Sequence, residues 1–324
     1  MENLPKHCVS ITDRVYLGQV IPGFQIDGNF RCIYLNQSPH FQHLFCDEIG
    51  QFNTSSMIDF IGLLDAELSS AIDTKVVICV QQGARAISSA IFLVGAYMIV
   101  KKHMAPERLA AAFAPFEPSL MQNLSDSNRA QPQLHLIDCW SGLAKGRVFG
   151  WIRYGGPEFM WGAVDVDEYR HFDNPSNGSM HEVVPGKFIM IQEPADLGGA
   201  DFSDDARGLR AFSPAFCANT LRDMGAKALV SLGKPRYDPA QLTSRGFTHH
   251  ILDYEGGAAP SGAAAAAFLR AAEAPGKMAV HCGAAAAGGE GRAATLVALW
   301  LVRECRFGAR EALGWLRVMR PGPR

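Results

Sequence analysis

The feature that most constrains the fold is one strand-to-helix pattern that occurs twice in the chain. Each copy has a short apolar run of strand length, a loop containing glycine, and a run of helix length. The three parts are 75–80, 81–85 and 87–100 in the first copy, and 276–280, 282–292 and 294–303 in the second. Strands that alternate with helices favour parallel pairing. The sequence therefore predicts two α/β units, each with a central, mostly parallel sheet flanked by helices.

The chain is long enough for both units. It has 324 residues, of which 48% are hydrophobic, and a domain typically has roughly 100–150 residues. An acidic, turn-rich stretch separates the two copies. We predict an N-terminal domain at 1–150, a connector at 151–184, and a C-terminal domain at 185–324 that is truncated at its end. Further elements expected in the last range are strands at 185–191 and 226–232 and a helix at 216–224.

Composition argues against several functional classes. The formal net charge of −2 gives no basis for binding nucleic acid or an anionic membrane. The eight cysteines include no Cys-x-x-Cys pair, so we expect no metal site, no disulfide framework, and an intracellular environment. The apolar stretch 86–100 is short for a membrane span and is typical of a buried helix. No feature of the sequence fixes an oligomeric state.

The loop of the second copy carries the residues best suited to chemistry. A cysteine attacks phosphorus as the thiolate, which is favoured where a strand ends opposite a helix N-terminus. Cys282 has that predicted position, and the backbone N–H groups of such a loop bind phosphate oxygens. Arg292 closes the loop with a planar fork that matches two of those oxygens. The pattern indicates a phosphate site with a nucleophilic thiol.

A structural interpretation of the same residues remains open. Cys282 is then a buried thiol at a strand end, and Arg292 is a surface residue. The first copy has Gln81 and Gln82 where the second has its His281-Cys282 pair. Its own Cys79 lies inside the predicted strand, so we assign that thiol a structural role.

The segment from His281-Cys282 through Arg292 to Thr295-Leu296 resembles the phosphate-binding loop of protein tyrosine and dual-specificity phosphatases. Over nearly its full length the chain is similar to the cell division cycle 14 phosphatases. The segments that carry this resemblance, in family order, are Ile11-Thr-Asp-Arg-Val-Tyr-Leu17, Phe92-Leu-Val-Gly-Ala-Tyr97, Val166-Asp-Glu-Tyr169, Val184-Pro-Gly-Lys-Phe188, and Ala309-Arg-Glu-Ala with Trp315-Leu-Arg-Val-Met-Arg-Pro-Gly322. The resemblance implies two tandem dual-specificity-phosphatase-like domains, the first without a nucleophile and the second catalytic.

The resemblance also implies a mechanism and partners. Cys282 would form a cysteinyl-phosphate that water then hydrolyses, without a metal or an organic cofactor. The residues that would bind the phosphate are Gly283, Ala284, Gly289, Gly291 and Arg292. Phosphorylated proteins would be the substrates, at phosphotyrosine or at phosphoserine or phosphothreonine before proline. A basic residue further along would be preferred.

The sequence departs from the family pattern in the loop and after it. The family has five residues between the cysteine and the arginine, whereas 283–291 intervene here. Ala293 replaces the hydroxyl residue that normally follows the arginine, and Glu290 adds a negative charge. The family also continues past Arg320-Pro-Gly322 with a glutamine-bearing loop that positions water, whereas this sequence ends at Arg324.

The acid and the substrate groove follow the family less closely. The family's aspartate four residues before a proline aligns with Gly256, so we expect Glu255 or Asp253 to be the general acid, with Glu255 favoured. Asp173 and Glu168 would line an acidic substrate groove, in which Arg170 replaces an expected glutamate.

Two functions follow from these expectations. The first is an active dual-specificity protein phosphatase. The second is a catalytically impaired pseudophosphatase that binds phosphoproteins as a scaffold. By resemblance, the protein would act in the nucleus and cytoplasm, at the spindle or centrosome, in the cell division cycle.

Overall fold

The computed structural model describes residues 8–20, 30–37, 41, 53–70, 72–116, 134–156, 160–206, 210–252, 254, 259–283 and 289–320. The chain forms two compact units. The first comprises Met1–Tyr154 with Leu313–Arg324, and the second comprises Gly155–Ala312. These units divide the chain differently from the ranges predicted above. Most of the expected connector belongs to the second unit, and the end of the last helix belongs to the first.

The first unit is built on a four-stranded sheet. Its strands are β1 (Cys8–Ser10), β2 (Val15–Val20), β3 (Phe30–Tyr34) and β4 (Lys75–Gln81), in the order β1-β2-β4-β3. Strand β4 pairs in parallel with both β2 and β3, and β1 pairs antiparallel with β2. Strand β4 is apolar and its residues 76–80 are fully buried, as expected for a strand flanked on both sides. Cys79 is among these buried residues, consistent with the structural role assigned to it.

Helices cover the sheet of the first unit. They are α1 (Thr54–Ser69), α2 (Ala84–Val100), α3 (Pro106–Ala112) and α4 (Leu136–Val148). Helix α1 begins where Asn53 accepts a hydrogen bond from the Ser56 N–H, at 2.8 Å. Helix α2 is the apolar stretch noted in the sequence, and it is buried against α1 and α4. No helix in the described part of the chain is long and apolar enough to cross a membrane.

The second unit is built on a five-stranded sheet. Its strands are β7 (His181–Val184), β8 (Phe188–Met190), β11 (Ala226–Leu232), β12 (Thr248–Leu252) and β13 (Lys277–Cys282), in the order β12-β11-β13-β8-β7. All neighbours pair in parallel except β7, which pairs antiparallel with β8 at the edge. Two small hairpins complete the strands, β5 (Met160–Trp161) with β6 (Val164–Asp165), and β9 (Phe202–Asp204) with β10 (Arg210–Phe212).

The helices of the second unit follow its strands. They are α5 (Val166–Asp173), α6 (Pro214–Asp223), α7 (Ala240–Thr243), α8 (Gly262–Ala271) and α9 (Gly289–Cys305). Helix α10 (Ala309–Met319) begins in the second unit, and its residues from Leu313 onward belong to the first. Helix α6 begins at a local signal, because Ser213 accepts from the Phe216 N–H at 3.1 Å and Pro214 occupies the first turn. The prediction of an α/β protein with mostly parallel sheets flanked by helices is confirmed.

Gly95 is required by the packing of α2 against α4. A Cβ at this position would overlap the indole ring of Trp140, which is fully buried. We expect Gly95→Ala to destabilise the protein by about 1–3 kcal/mol through overpacking, measured by urea unfolding.

Gly62 is the matched control, since it lies within α1 and has no atom within 4 Å of an added Cβ. Gly62→Ala should raise the unfolding free energy by up to about 1 kcal/mol through helix propensity. Equal effects of the two substitutions would contradict the packing argument.

Candidate functional site

The candidate site lies at the edge of the second unit's sheet where its parallel strands end. Cys282 is the last residue of β13 and is in register with Leu232, the last residue of β11. On the other side of β13, Met190 of β8 is in register with Val280. Ligands of open parallel sheets bind beyond the carboxyl ends of the strands. Cys282 therefore lies where proteins of this architecture bind their ligands. Its side chain is half-buried.

Helix α9 begins sooner than the sequence suggested. It starts at Gly289 rather than near 294, so only 283–288 connect it to β13. Gly289, Gly291 and Arg292 consequently belong to the first turn of the helix rather than to the loop. First-turn N–H groups have no partner within a helix, and they attract anions. Ala284 lies outside the described residues.

Arg292 points toward the residue that follows Cys282. One terminal nitrogen donates to the Tyr254 carbonyl oxygen at 2.7 Å, and the other donates to the Gly283 carbonyl oxygen at 3.3 Å. The buried Nε has no hydrogen-bond partner among the described residues. The structure therefore brings Arg292 to the start of the candidate phosphate loop.

Tyr254 was not predicted as part of the site. Its side chain is buried, with only 5% exposed, and the Arg292 guanidinium lies 5.9 Å from its ring centroid. Burial raises the pKa of its hydroxyl, while the neighbouring Arg292 opposes that rise. Tyr254 thus supports Arg292 with both its carbonyl oxygen and its ring. Tyr254 follows β12. Predicting it as a site residue would have required knowing that β12 ends at the same edge of the sheet as β13.

A buried polar cluster lies beside the nucleophile candidate. His281 Nε2 lies 2.8 Å from the Ser231 hydroxyl and 2.9 Å from the Tyr237 hydroxyl. His249 Nε2 lies 2.7 Å from the same Ser231 hydroxyl. Ser231 is fully buried and His281 is 1% exposed. These groups meet because β11 lies between β12 and β13.

Burial keeps His281 neutral. It lowers the pKa of the imidazole to about 3, and the nearby His249 contributes in the same direction. Near neutral pH, His281 therefore adds no positive charge beside Cys282. Stabilisation of a thiolate must come from backbone N–H groups and from Arg292.

The remaining predicted residues divide into two groups. Asp253 and Glu255, the two candidates for the acid, lie outside the described residues. Asp173 and Glu168 lie on α5. The Asp173 carboxylate is mostly buried and accepts from His181 at 2.9 Å. Glu168 is half-buried, and desolvation raises its pKa although Lys277 opposes the rise.

A buried carboxylate that the sequence did not reveal also lies near Cys282. An added Cβ on Gly283 would stand 3.8 Å from Glu193 Oε1. The Glu193 side chain is 1% exposed and accepts from the Arg236 Nε at 2.9 Å. Among the described residues, no group of three His, Cys, Asp or Glu side chains has the arrangement of a metal site.

Comparisons with known proteins agree with this architecture. Residues 9–146 match the family model "Dual specificity protein phosphatase, N-terminal half". The chain is 27% identical to human dual specificity protein phosphatase CDC14A over 97% of its length, and 26% identical to human CDC14C over the same share. Over nearly its full length, the chain is similar to the Cdc14 dual-specificity phosphatases. The tyrosine-protein phosphatase cdc-14 of Caenorhabditis elegans is 29% identical over 71% of the chain and 31% of its own length.

These Cdc14 relatives are longer than this chain. The chain covers 51% of human CDC14A and 67% of human CDC14C. Among solved structures, Tk-PTP in its active form matches 44% of this chain and 86% of its own, with 24% identity and a TM-score of 0.34.

The neutral state of His281 makes stability depend on pH. In the unfolded chain, a histidine has a pKa of about 6.5. In the folded protein, burial lowers the pKa of His281 to about 3. Between these values the unfolded chain binds a proton that the folded chain does not, so unfolding becomes easier as pH falls. We expect the unfolding free energy of the wild type to fall more steeply than that of His281→Gln between pH 6.5 and 4, by at most about 1.4 kcal/mol per pH unit.

Urea unfolding across that range measures the two slopes. His103→Asn is the control, because His103 is exposed and has a left-handed backbone that asparagine adopts readily. Identical slopes for the wild type and His281→Gln would contradict the interpretation.

Proposed function

We propose that this protein is a cysteine-dependent protein phosphatase whose catalytic unit is the second one. The observation that carries the proposal is the position of Arg292. Its side chain reaches from the first turn of α9 to the carbonyl oxygen of Gly283, directly after Cys282. A thiol, a helix N-terminus and a guanidinium thereby converge at one end of β13. Homology to the Cdc14 phosphatases supports the same reaction.

The proposed reaction has two steps. The Cys282 thiolate attacks phosphorus, an S–P bond forms, and the bond to the substrate oxygen breaks as a carboxylic acid protonates that oxygen. Water then attacks the phosphorus, the S–P bond breaks, and the carboxylate takes the proton from the water. Inorganic phosphate is released, and the Cys282 thiolate is regenerated. Arg292 and the first-turn N–H groups of α9 stabilise the charge on the transferring group in both steps.

The finer parts of the proposal concern substrates and setting. We propose phosphoserine or phosphothreonine before proline, together with phosphotyrosine, as targets in phosphorylated proteins. We further propose action in the nucleus and cytoplasm during cell division. The mostly buried Asp173 and the half-buried Glu168 are the two carboxylates that we propose for the acidic groove.

The nucleophile is tested with a small aryl phosphate. Cys282→Ser should reduce hydrolysis to the background rate. A serine hydroxyl stays protonated at neutral pH and is a much weaker nucleophile than the cysteine thiolate. Cys8→Ser is the control, since Cys8 is a half-buried thiol of the other unit. Activity that survives Cys282→Ser would exclude the thiolate mechanism. Absence of activity in the wild type would favour the phosphoprotein-binding scaffold.

Arg292→Lys tests the guanidinium on the same substrate. Lysine keeps the charge but loses the fork that reaches both Tyr254 and Gly283. We expect kcat to fall by about 10²–10³-fold, while far-ultraviolet circular dichroism stays unchanged. Unaltered kcat would remove Arg292 from the mechanism.

The acid is tested by comparing leaving groups. Glu255→Gln should lower kcat by about 10²–10⁴-fold on a phosphoserine-proline peptide, whose alkoxide leaving group needs a proton. The same variant should change little on an aryl phosphate, whose leaving group is already stable as an anion. Asp253→Asn, assayed in parallel, identifies the acid if Glu255→Gln has no effect on the peptide.

A further inference from the structure

An ion pair spans the end of β13. Glu193 follows β8 and Arg236 follows β11, the two strands that flank β13 in the sheet. The Glu193 carboxylate accepts from the Arg236 Nε at 2.9 Å and from the Arg236 backbone N–H at 3.2 Å. The same carboxylate lies in van der Waals reach of the Gly283 position. The pair therefore lies directly beside the start of the candidate phosphate loop.

The two partners differ sharply in exposure. The Glu193 side chain is 1% exposed, whereas the Arg236 side chain is 59% exposed. Glu193 thus fixes the inner edge of the guanidinium at Nε and leaves the outer edge in solvent. Among the described residues, neither terminal nitrogen of Arg236 has a hydrogen-bond partner. A guanidinium held in this way is pre-organised to bind an anion that presents two adjacent oxygens, through two parallel hydrogen bonds.

The position of Glu193 determines which anion Arg236 can bind. The Glu193 carboxylate contacts Arg236 and also lies 3.8 Å from a Cβ built on Gly283. We infer that it holds the guanidinium to one side of the phosphate that Cys282 would attack. Lys234 lies exposed on the same segment after β11 and adds to the positive potential there. An anion recognised by Arg236 is consequently a second negative group beside the transferred phosphate.

We propose that Arg236, held by Glu193, is a specificity-determining residue for substrates that carry a second anionic group close to the phosphorylated residue. This inference rests on the proposed function of the second unit. The anionic group is an acidic side chain or a second phosphate, since both present paired oxygens to a guanidinium.

Three matched phosphoserine-proline peptides test the proposal, with a glutamine, a glutamate or a second phosphoserine beside the target residue. The readout is the ratio of kcat/KM between each anionic peptide and the glutamine peptide. We expect the wild type to prefer the anionic peptides by about 5- to 30-fold, the range of one charge-assisted contact. Arg236→Gln should remove most of that preference. The preference of the wild type should also shrink as ionic strength rises from about 0.05 to 0.5 M.

Arg303→Gln is the matched control. Arg303 is 53% exposed, pairs with the adjacent Glu304, and lies in the last turn of α9, at the end opposite Arg292. It should keep the ratio of the wild type. A ratio that is the same in Arg236→Gln as in the wild type would overturn the proposal and leave Glu193 and Arg236 with a structural role alone.

Binding separates this inference from the proposed function. Affinities of the three peptides for Cys282→Ser, with and without Arg236→Gln, are measured by fluorescence anisotropy. If the wild type hydrolyses no peptide and no aryl phosphate, the phosphatase proposal fails, and the affinity ratio still tests Arg236. Loss of that affinity ratio on Arg236→Gln supports the inference, and equal affinities for all three peptides contradict it.

Discussion

The parallel hydrogen bonding of β13 on both of its edges is the constraint on which the second unit depends. Strand β11 pairs with β13 through Leu232 and Cys282, and β8 pairs with it through Met190 and Val280. Because all three strands run in the same direction, the segments that follow them emerge at one edge of the sheet. That edge receives the thiol, the buried carboxylate and the exposed arginine. A slip of one residue in this register would turn Cys282 to the opposite face.

The alternation of side chains along β13 places the candidate nucleophile Cys282 and the buried His281 on opposite faces of the sheet. Successive side chains of a strand point to opposite faces of the sheet. His281 enters the polar cluster with Ser231 and Tyr237, on the face where Ala279 joins the apolar core with Leu229. Cys282 therefore points to the other face, the one that Val280 shares. His281 and Cys282 are thus neighbours in sequence, but their side chains lie on opposite faces of the sheet and do not compete for the same hydrogen bonds.

Much of this architecture was accessible from local patterns. The strand predicted at 226–232 is observed as Ala226–Leu232, and the apolar runs before Gln81 and Cys282 are strands as predicted. The start of α9 was not accessible in this way, because the run 283–291 is rich in Gly and Ala and contains no Ser, Thr, Asp or Asn to mark the beginning of a helix. The edge strand β7 was also missed, since it falls in the stretch predicted as a connector.

The side chains that contact one another within the site could not be predicted from the sequence. Ser231 and His281 are 50 residues apart, and Glu193 and Arg236 are 43 apart. Each pair is determined by strand order, which no short motif encodes. Cys282 and Arg292 were found because the loop between them is local.

The neutral state of His281 has a kinetic consequence. An imidazole whose pKa lies near 3 does not change charge across the physiological range. Any inflection in a pH–rate profile between about pH 5 and 8 then reports a different ionisation, such as that of the nucleophile, the proton donor or the phosphate monoester itself. The histidine that adjoins the cysteine in sequence therefore keeps one charge state across that range, in which it contacts the hydroxyls of Ser231 and Tyr237.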